Sequence, residues 1–164
     1  MTVHIQDSPA AAYRQAGEAH DVEALKATLA DDVVFHSPLS YRAGFNGLKQ
    51  VGTLFEAVFD VLSDLRYQSD LGDTRTRMLT ATARVGRQPL NEVAQLELDE
   101  DGLVREITMW IRPLPGLTAL MAALGPRLAR DKGKPGLPLL VGAASAPLAA
   151  MTRLGDRTLV PLLA

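Results

Sequence analysis

From position 48 to 62 the apolar residues Leu48, Val51, Leu54, Phe55, Val58, Val61 and Leu62 recur at steps of three and four, with Lys49, Gln50, Glu56 and Asp60 between them. That period predicts one helix with a single buried stripe, led by Gly47. Immediately upstream, Val33, Val34 and Phe35 follow Asp31 and Asp32 and precede Pro38, Gly44 and Gly47. This predicts a strand of about five residues and a loop. A lone helix cannot hide such a stripe, so a broad apolar surface must lie against it, most economically a sheet.

Beyond Leu62 the period changes to two. Alternation predicts strands over Asp64 to Leu71, Met78 to Gly86, Asn91 to Leu98 and Leu103 to Arg112. Turns are predicted at Gly72 to Thr76, at Arg87 to Leu90 with its Pro89, and at Asp99-Glu100-Asp101-Gly102. Near the amino terminus, Ser8-Pro9 predicts a helix start with Ser8 as cap, continuing over Ala10 to Ala16 until Gly17. His20 and Asp21 break the chain, and Asp21 caps a second helix through Val22, Leu25, Ala27 and Leu29 that ends near Asp31. The expected order is helix, helix, strand, helix and a four-strand antiparallel meander, an α+β fold.

Neighbouring strand residues point opposite ways, so the two sheet faces separate by parity. One face collects Leu79, Ala81, Ala83, Val85, Ala94, Leu96, Leu98, Ile107, Met109 and Ile111, and it must meet the helical stripe and line any cavity. The other collects Thr80, Thr82, Arg84, Asn91, Gln95, Glu97, Glu106, Thr108, Trp110 and Arg112. Glu92 breaks the pattern, because by parity it falls on the apolar face. A carboxylate there would be desolvated and its pKa raised, a preparation for proton transfer near neutral pH. Alternatively, two residues from the Arg87 to Leu90 turn, it reaches water at the rim.

The chain has 164 residues, 47% of them hydrophobic, which suits one domain with a sizeable core. It has no cysteine, which removes disulfides, thiolate nucleophiles and cysteine metal sites. No basic segment followed by an apolar run opens the sequence, so a cytoplasmic location is expected. Residues 1–112 carry 11 Lys and Arg against 17 Asp and Glu, and residues 113–164 carry six against two. The acidic body argues against nucleic acid as a partner. No HExxH or close His/carboxylate set appears, so neither a metal nor another cofactor is expected.

Tyr13 in the first helix, LADDVVFHSP (Leu29 to Pro38), the helix led by Gly47 and LDEDGLVREITMW (Leu98 to Trp110) resemble the NTF2-like superfamily, in its SnoaL-like and ketosteroid-isomerase-like branches. The resemblance covers roughly residues 8–112. It implies a cone, in which a curved, mainly antiparallel sheet wraps the long helix around a pocket. It gives the activity poorly, because this fold hosts isomerases, cyclases, dehydratases, hydrolases and proteins without chemistry. In the resembling isomerases the base is an aspartate just before the strand's proline, where this chain has Ser37, and a second acid would fall near Ala94. Only Tyr13 matches, as a hydrogen-bond donor to an oxyanion. The resemblance also makes the outer sheet face a homodimer interface, with Trp110 as its anchor; otherwise the carboxy-terminal segment folds back over Trp110.

His36 and Ser37 point to opposite faces, so at most one lines the pocket. His36 titrates near neutrality and is a candidate proton carrier, though a lone strand histidine commonly serves structure. His4 and His20 fall in the terminus and a turn. Phe35, Ser37, Phe55, Phe59, Tyr67 and Met109 are candidate pocket residues, with ordinary core packing as the competing role for the aromatic ones.

Residues 113–164 form an apolar, basic extension beyond the domain of residues 1–112. Leu117, Leu120, Met121, Leu124 and Leu128 make a helical stripe ending in Arg127, Arg130, Lys132 and Lys134. Pro135 to Thr152 is uncharged, but its three prolines and two glycines argue against a membrane span. The extension is expected to pack on the domain as a lid or to embrace a second subunit, and membrane contact is not expected.

The sequence therefore supports a cofactor-free protein holding a small apolar or aromatic molecule, with acid/base chemistry of the cyclase, isomerase, dehydratase or hydrolase type. Glu92 or His36 would move the proton and Tyr13 would hold developing negative charge. The alternatives are a ligand-binding protein without chemistry and a dimeric interaction module.

Overall fold

The computed structural model describes residues 8–42, 44–131 and 136–163. Helices α1 (Ala11–Ala19) and α2 (Val22–Lys26) lead into β1 (Leu29–His36) and a short β2 (Gly44–Asn46), followed by helix α3 (Leu48–Phe59). The meander β3 (Leu62–Gly72), β4 (Thr76–Val85), β5 (Gln88–Leu98) and β6 (Val104–Arg112) follows, and α4 (Leu114–Asp131) and α5 (Leu137–Thr158) close the chain, with a 3-10 turn over Val160–Leu163. The six strands form one open, mostly antiparallel sheet in the order β2-β1-β6-β5-β4-β3. Only the β1–β6 pair is parallel. His4, Lys132 and Lys134 lie outside the described residues.

The α+β class and the separation of the sheet faces follow the parity of the strands. Leu79, Ala81, Ala83, Ala94, Leu96, Leu98 and Ile107 are buried together with Val51, Leu54 and Phe55 of α3. α1, α3 and α4 lie on this apolar face, and the other face is polar.

Several boundaries differ from the sequence reading. The second helix stops at Lys26 rather than near Asp31, because Val104 donates to the Thr28 carbonyl (2.8 Å) and Leu29 pairs with Val104. Sheet pairing there overrides the helical period, and β1 has eight residues, not five. Helix α3 ends at Phe59, and Leu62, assigned above to its stripe, pairs with Val85 as the first residue of β3. Both assignments put Leu62 inside, so period alone could not separate them. The loop before α3 contains β2, which adds to β1 in antiparallel register, Phe35 opposite Phe45.

The Arg87 to Leu90 turn is in fact a two-residue turn, Gly86-Arg87, with Gly86 at φ +57° as such a turn requires. β5 starts at Gln88, and Pro89 is tolerated because pairing to β6 begins only at Asn91, opposite Arg112. Gly17 lies inside α1, which ends instead at His20 in the left-handed conformation. Ser8 does not cap the helix; its hydroxyl accepts from Ala10 N (3.1 Å) in the preceding turn. Asp21 caps α2, accepting from Ala24 N at 2.9 Å.

A buried ion cluster ties three elements together. Asp70 on β3 accepts from Arg77 Nε at 2.7 Å, and its other oxygen lies 3.5 Å from Arg14 Nη1 on α1. The Asp70 and Arg77 side chains are almost wholly buried. Arg77 shares the parity of Leu79 and Ala81 and points inward with them, because β4 begins at Thr76, two residues before the Met78 expected from the sequence.

Helix α4 crosses the open mouth of the sheet. Gly116 fits against the end of β5, where a β-carbon would stand 2.7 Å from Leu90 Cβ. Leu120 and Leu124 join the core from this helix. Helix α5 packs along α4 in the opposite direction, with Thr118 and Thr152 hydroxyls 2.7 Å apart at one end and Gly125 close to Val141 at the other.

Candidate functional site

Glu92 enters the interior from β5, between Ala81 on β4 and Ile111 on β6. Alternation places it in line with Leu90, Ala94, Leu96 and Leu98, and it is 6% exposed. The carboxyl group lies in the interior and not at a solvated rim. The strand end beside it is roofed by α4, as the Gly116–Leu90 approach shows. Small Ala81 opposite leaves room for it. Burial away from water penalises the charged form and raises its pKa from 4.5 to about 7.

Two adjoining cavities share Phe55, Val58, Leu62, Glu92 and Met109 as walls. The larger, about 110 Å³, extends toward β1 and β2 past Phe35, Ser37, Pro38 and Phe45, and Leu120, Leu124 and Leu128 of α4 cover it. The smaller, about 30 Å³, extends toward α1 and is lined by Tyr13, Gly17, Phe59 and Tyr67. Glu92 stands between them as the sole ionisable carboxyl group among the described lining residues.

Tyr13 is 2% exposed and meets Phe55 edge-on, with ring centroids 6.3 Å apart. Burial, and secondarily the charge of Glu92, raise its pKa well above the usual phenol range. Tyr67 is raised by the same burial, then by Tyr13, Glu92 and Glu18, with Arg14 opposing. Its backbone N donates to Glu18 Oε1 at 2.7 Å, and its hydroxyl packs onto Gly17, where a β-carbon would stand 3.0 Å away. Both phenols therefore keep their protons near neutral pH.

His36 is not brought to this site. It points to the polar face, half-exposed, with Nε2 3.0 Å from Glu106 Oε1. Ser37 lines the larger cavity, and its hydroxyl accepts from Leu39 N at 3.2 Å. Trp110 is 48% exposed, so the carboxy-terminal helices do not fold over it. It borders an open outer groove of about 490 Å³ with His36, Tyr41, Glu106 and Thr108. His20 stacks on Phe59, with rings 4.9 Å apart and nearly parallel. Among the described residues no three potential metal ligands cluster.

Two features of the site escaped the sequence reading. Tyr67 was placed in the pocket but not as a second phenol facing the region of Glu92. The extension is expected from the sequence to pack as a lid, but which residues form it is not; Leu120, Leu124 and Leu128 of α4 are those that cover the larger cavity. Parity and period gave the direction of each; only the fold brings them together.

A model of the SnoaL-like domain matches residues 10–107. No curated protein matches the chain. Among solved structures, it is similar to a steroid delta-isomerase from Pseudomonas aeruginosa, with 28% identity, coverage of 77% of this chain and 93% of that one, and a TM-score of 0.69. It is also similar to an uncharacterised protein with a cystatin-like fold from Silicibacter pomeroyi, with 27% identity, coverage of 76% and 87%, and a TM-score of 0.71. An NTF2-like protein of unknown function from Cytophaga hutchinsonii shares the fold at 12% identity, with coverage of 70% and 96% and a TM-score of 0.56.

Proposed function

Because the chain belongs to the SnoaL-like domain family, we propose that it binds a small apolar carbonyl compound in the inner cavity and uses Glu92 to move a proton. The observation that supports this reading most is the Glu92 carboxyl group, buried in an apolar cavity beside two protonated phenols, with a pKa of about 7. A carboxylate so placed removes a proton from the carbon next to a carbonyl, and Tyr13 or Tyr67 donates a hydrogen bond to the enolate oxygen. Glu92 then returns the proton to a second carbon, which shifts a double bond. Alternatively, the enolate carbon attacks another carbonyl of the same molecule, and the proton goes to the new alkoxide. Either route balances without a cofactor. The steroid delta-isomerase similarity is consistent with this class of reaction, although Ser37 and Ala94 stand where the resembling isomerases place acids.

Size narrows the ligand. Pockets for drug-sized molecules run to roughly 300–1,000 Å³, against about 110 and 30 Å³ here. A monocyclic enone or a short diketone suits the space, and a polycyclic ligand requires α4 to shift. A non-catalytic ligand-binding protein is the second reading, favoured because Ser37 and Ala94 stand where the resembling isomerases place acids.

The test is a thermal-shift series with cyclic enones, short diketones and steroid enones, followed by turnover of any stabilising compound. A ligand at about a hundred times its dissociation constant adds about 2.7 kcal/mol. Enone binding with turnover that Glu92→Gln abolishes supports the enzyme. Equal turnover by Glu92→Gln overturns it, and binding without turnover assigns the second reading.

A further inference from the structure

Helix α5 presents a face that nothing among the described residues covers. Ser145 and Ala149 are buried and Thr152 meets Thr118, which fixes the side toward α4. On the opposite side, at 100° per residue, stand Leu139, Leu140, Met151 and Leu154, exposed by 79, 67, 70 and 63%. The segment Leu137–Leu162 is long and apolar enough to cross a membrane; an 18-residue stretch within it has a mean hydropathy of 1.4 and is only 11% buried. An apolar face of this extent marks an interaction surface.

Charge identifies the partner. No charged residue occurs from Leu137 to Thr152; then Arg157 borders the apolar face on the side of Leu139, Arg153 stands between that face and Ala149, and Asp156 falls on the side of Ser145 and Ala149. Residues 113–164 as a whole carry six basic against two acidic residues, and residues 1–112 carry 11 against 17. An anionic surface attracts this end and repels the body, which sets an orientation. Spanning a bilayer would carry Arg153, Asp156 and Arg157 into hydrocarbon and separate Thr152 from Thr118.

We propose that α5 docks in the plane of an anionic lipid bilayer, with Leu139, Leu140, Met151 and Leu154 among the acyl chains and Arg153 and Arg157 at the phosphates. The sequence alone did not lead to this expectation; the exposure of the outward face did. α4 then separates the bilayer from the inner cavity, with one side against α5 and Leu120, Leu124 and Leu128 over the cavity. The proposal does not depend on the role of Glu92.

The experiment is co-sedimentation of the full chain with phosphatidylcholine vesicles and with vesicles also containing phosphatidylglycerol. Binding is expected to the anionic vesicles, reduced by salt and reversed by carbonate. Leu140→Glu with Leu154→Glu removes it without lowering the melting temperature, since both residues are exposed. Arg153→Glu with Arg157→Glu weakens it by roughly tenfold or more. Protein left in solution with anionic vesicles overturns the proposal. So does resistance to carbonate, which means a spanning segment. A dimer that the leucine variants dissociate, without vesicle binding, assigns the face to a second copy.

Discussion

The His36 imidazole pairs with Glu106 across 3.0 Å on the sheet face opposite to Glu92. The two candidate proton carriers of this chain therefore occupy different environments, one half in water and one in the core. His36→Gln should leave turnover within about twofold of wild type, since the imidazole is half-exposed on the face away from the cavity. Glu92→Gln should lose turnover by two orders of magnitude or so, the usual scale for a positioned general base, while ligand affinity stays near wild type. Steady-state kinetics on both variants checks this, and equal losses would refute the assignment.

Glu92 also sets a pH dependence of stability. Its pKa rises from 4.5 to about 7 on folding, so the folded protein binds the extra proton between those values. Stability is then greatest below about pH 4.5 as far as this group is concerned, falls as pH rises toward 7, and stays reduced above it. At about 1.4 kcal/mol per tenfold difference in proton affinity the loss is roughly 3 kcal/mol. Glu92→Gln removes this term, so its stability relative to wild type should increase from pH 5 to pH 8. Urea denaturation at those two pH values gives the measurement, and a constant difference counts against a buried carboxyl group.

The inward direction of Glu92 was legible in the sequence because parity survives along β5 from Leu90 to Leu98. Its burial was not, because that depends on Gly116 of α4 closing over Leu90, a contact between segments with no shared pattern. For the same reason the stripe Leu120, Leu124, Leu128 was visible and a lid was one of two places open to it, while the cavity it covers could be named only from the fold. Leu29 and Leu62 were assigned to helices because an apolar residue at a boundary fits both periods; strand pairing to Val104 and Val85 decided them.

The Asp70–Arg77 pair holds β3 to β4, with Arg14 of α1 beside it. Removing one partner leaves a buried charge. Asp70→Ala should cost about 3–5 kcal/mol, and the double replacement Asp70→Leu with Arg77→Met considerably less. Equilibrium denaturation of the single and double variants distinguishes a network that is costly to break from one that is inherently stabilising.

Trp110 projects half-exposed from the polar sheet face, beside Thr108 and the His36–Glu106 pair. As the anchor of a homodimer it would be desolvated by a second subunit. Trp110→Ala should then lower the mass measured by light scattering from dimer to monomer without loss of the fold. A wild-type chain already monomeric at tens of micromolar, or a variant of unchanged dimeric mass, removes Trp110 from this role.

Leu124 joins α4 to the core and roofs the larger cavity. Leu124→Ala should destabilise the fold by about 2–5 kcal/mol, because the removed atoms leave space that the surroundings refill only partly. The same space adds to a cavity of about 110 Å³, so the variant should accept larger enones than wild type. Leu128→Ala, at a less buried position of the same helix, should widen the site at lower cost. Thermal shifts measured with a size series of ligands separate the effects: a general fall in melting temperature reports the lost packing, and a selective gain for the larger compounds reports the roof. If neither variant changes the size preference, ligands do not enter beneath α4.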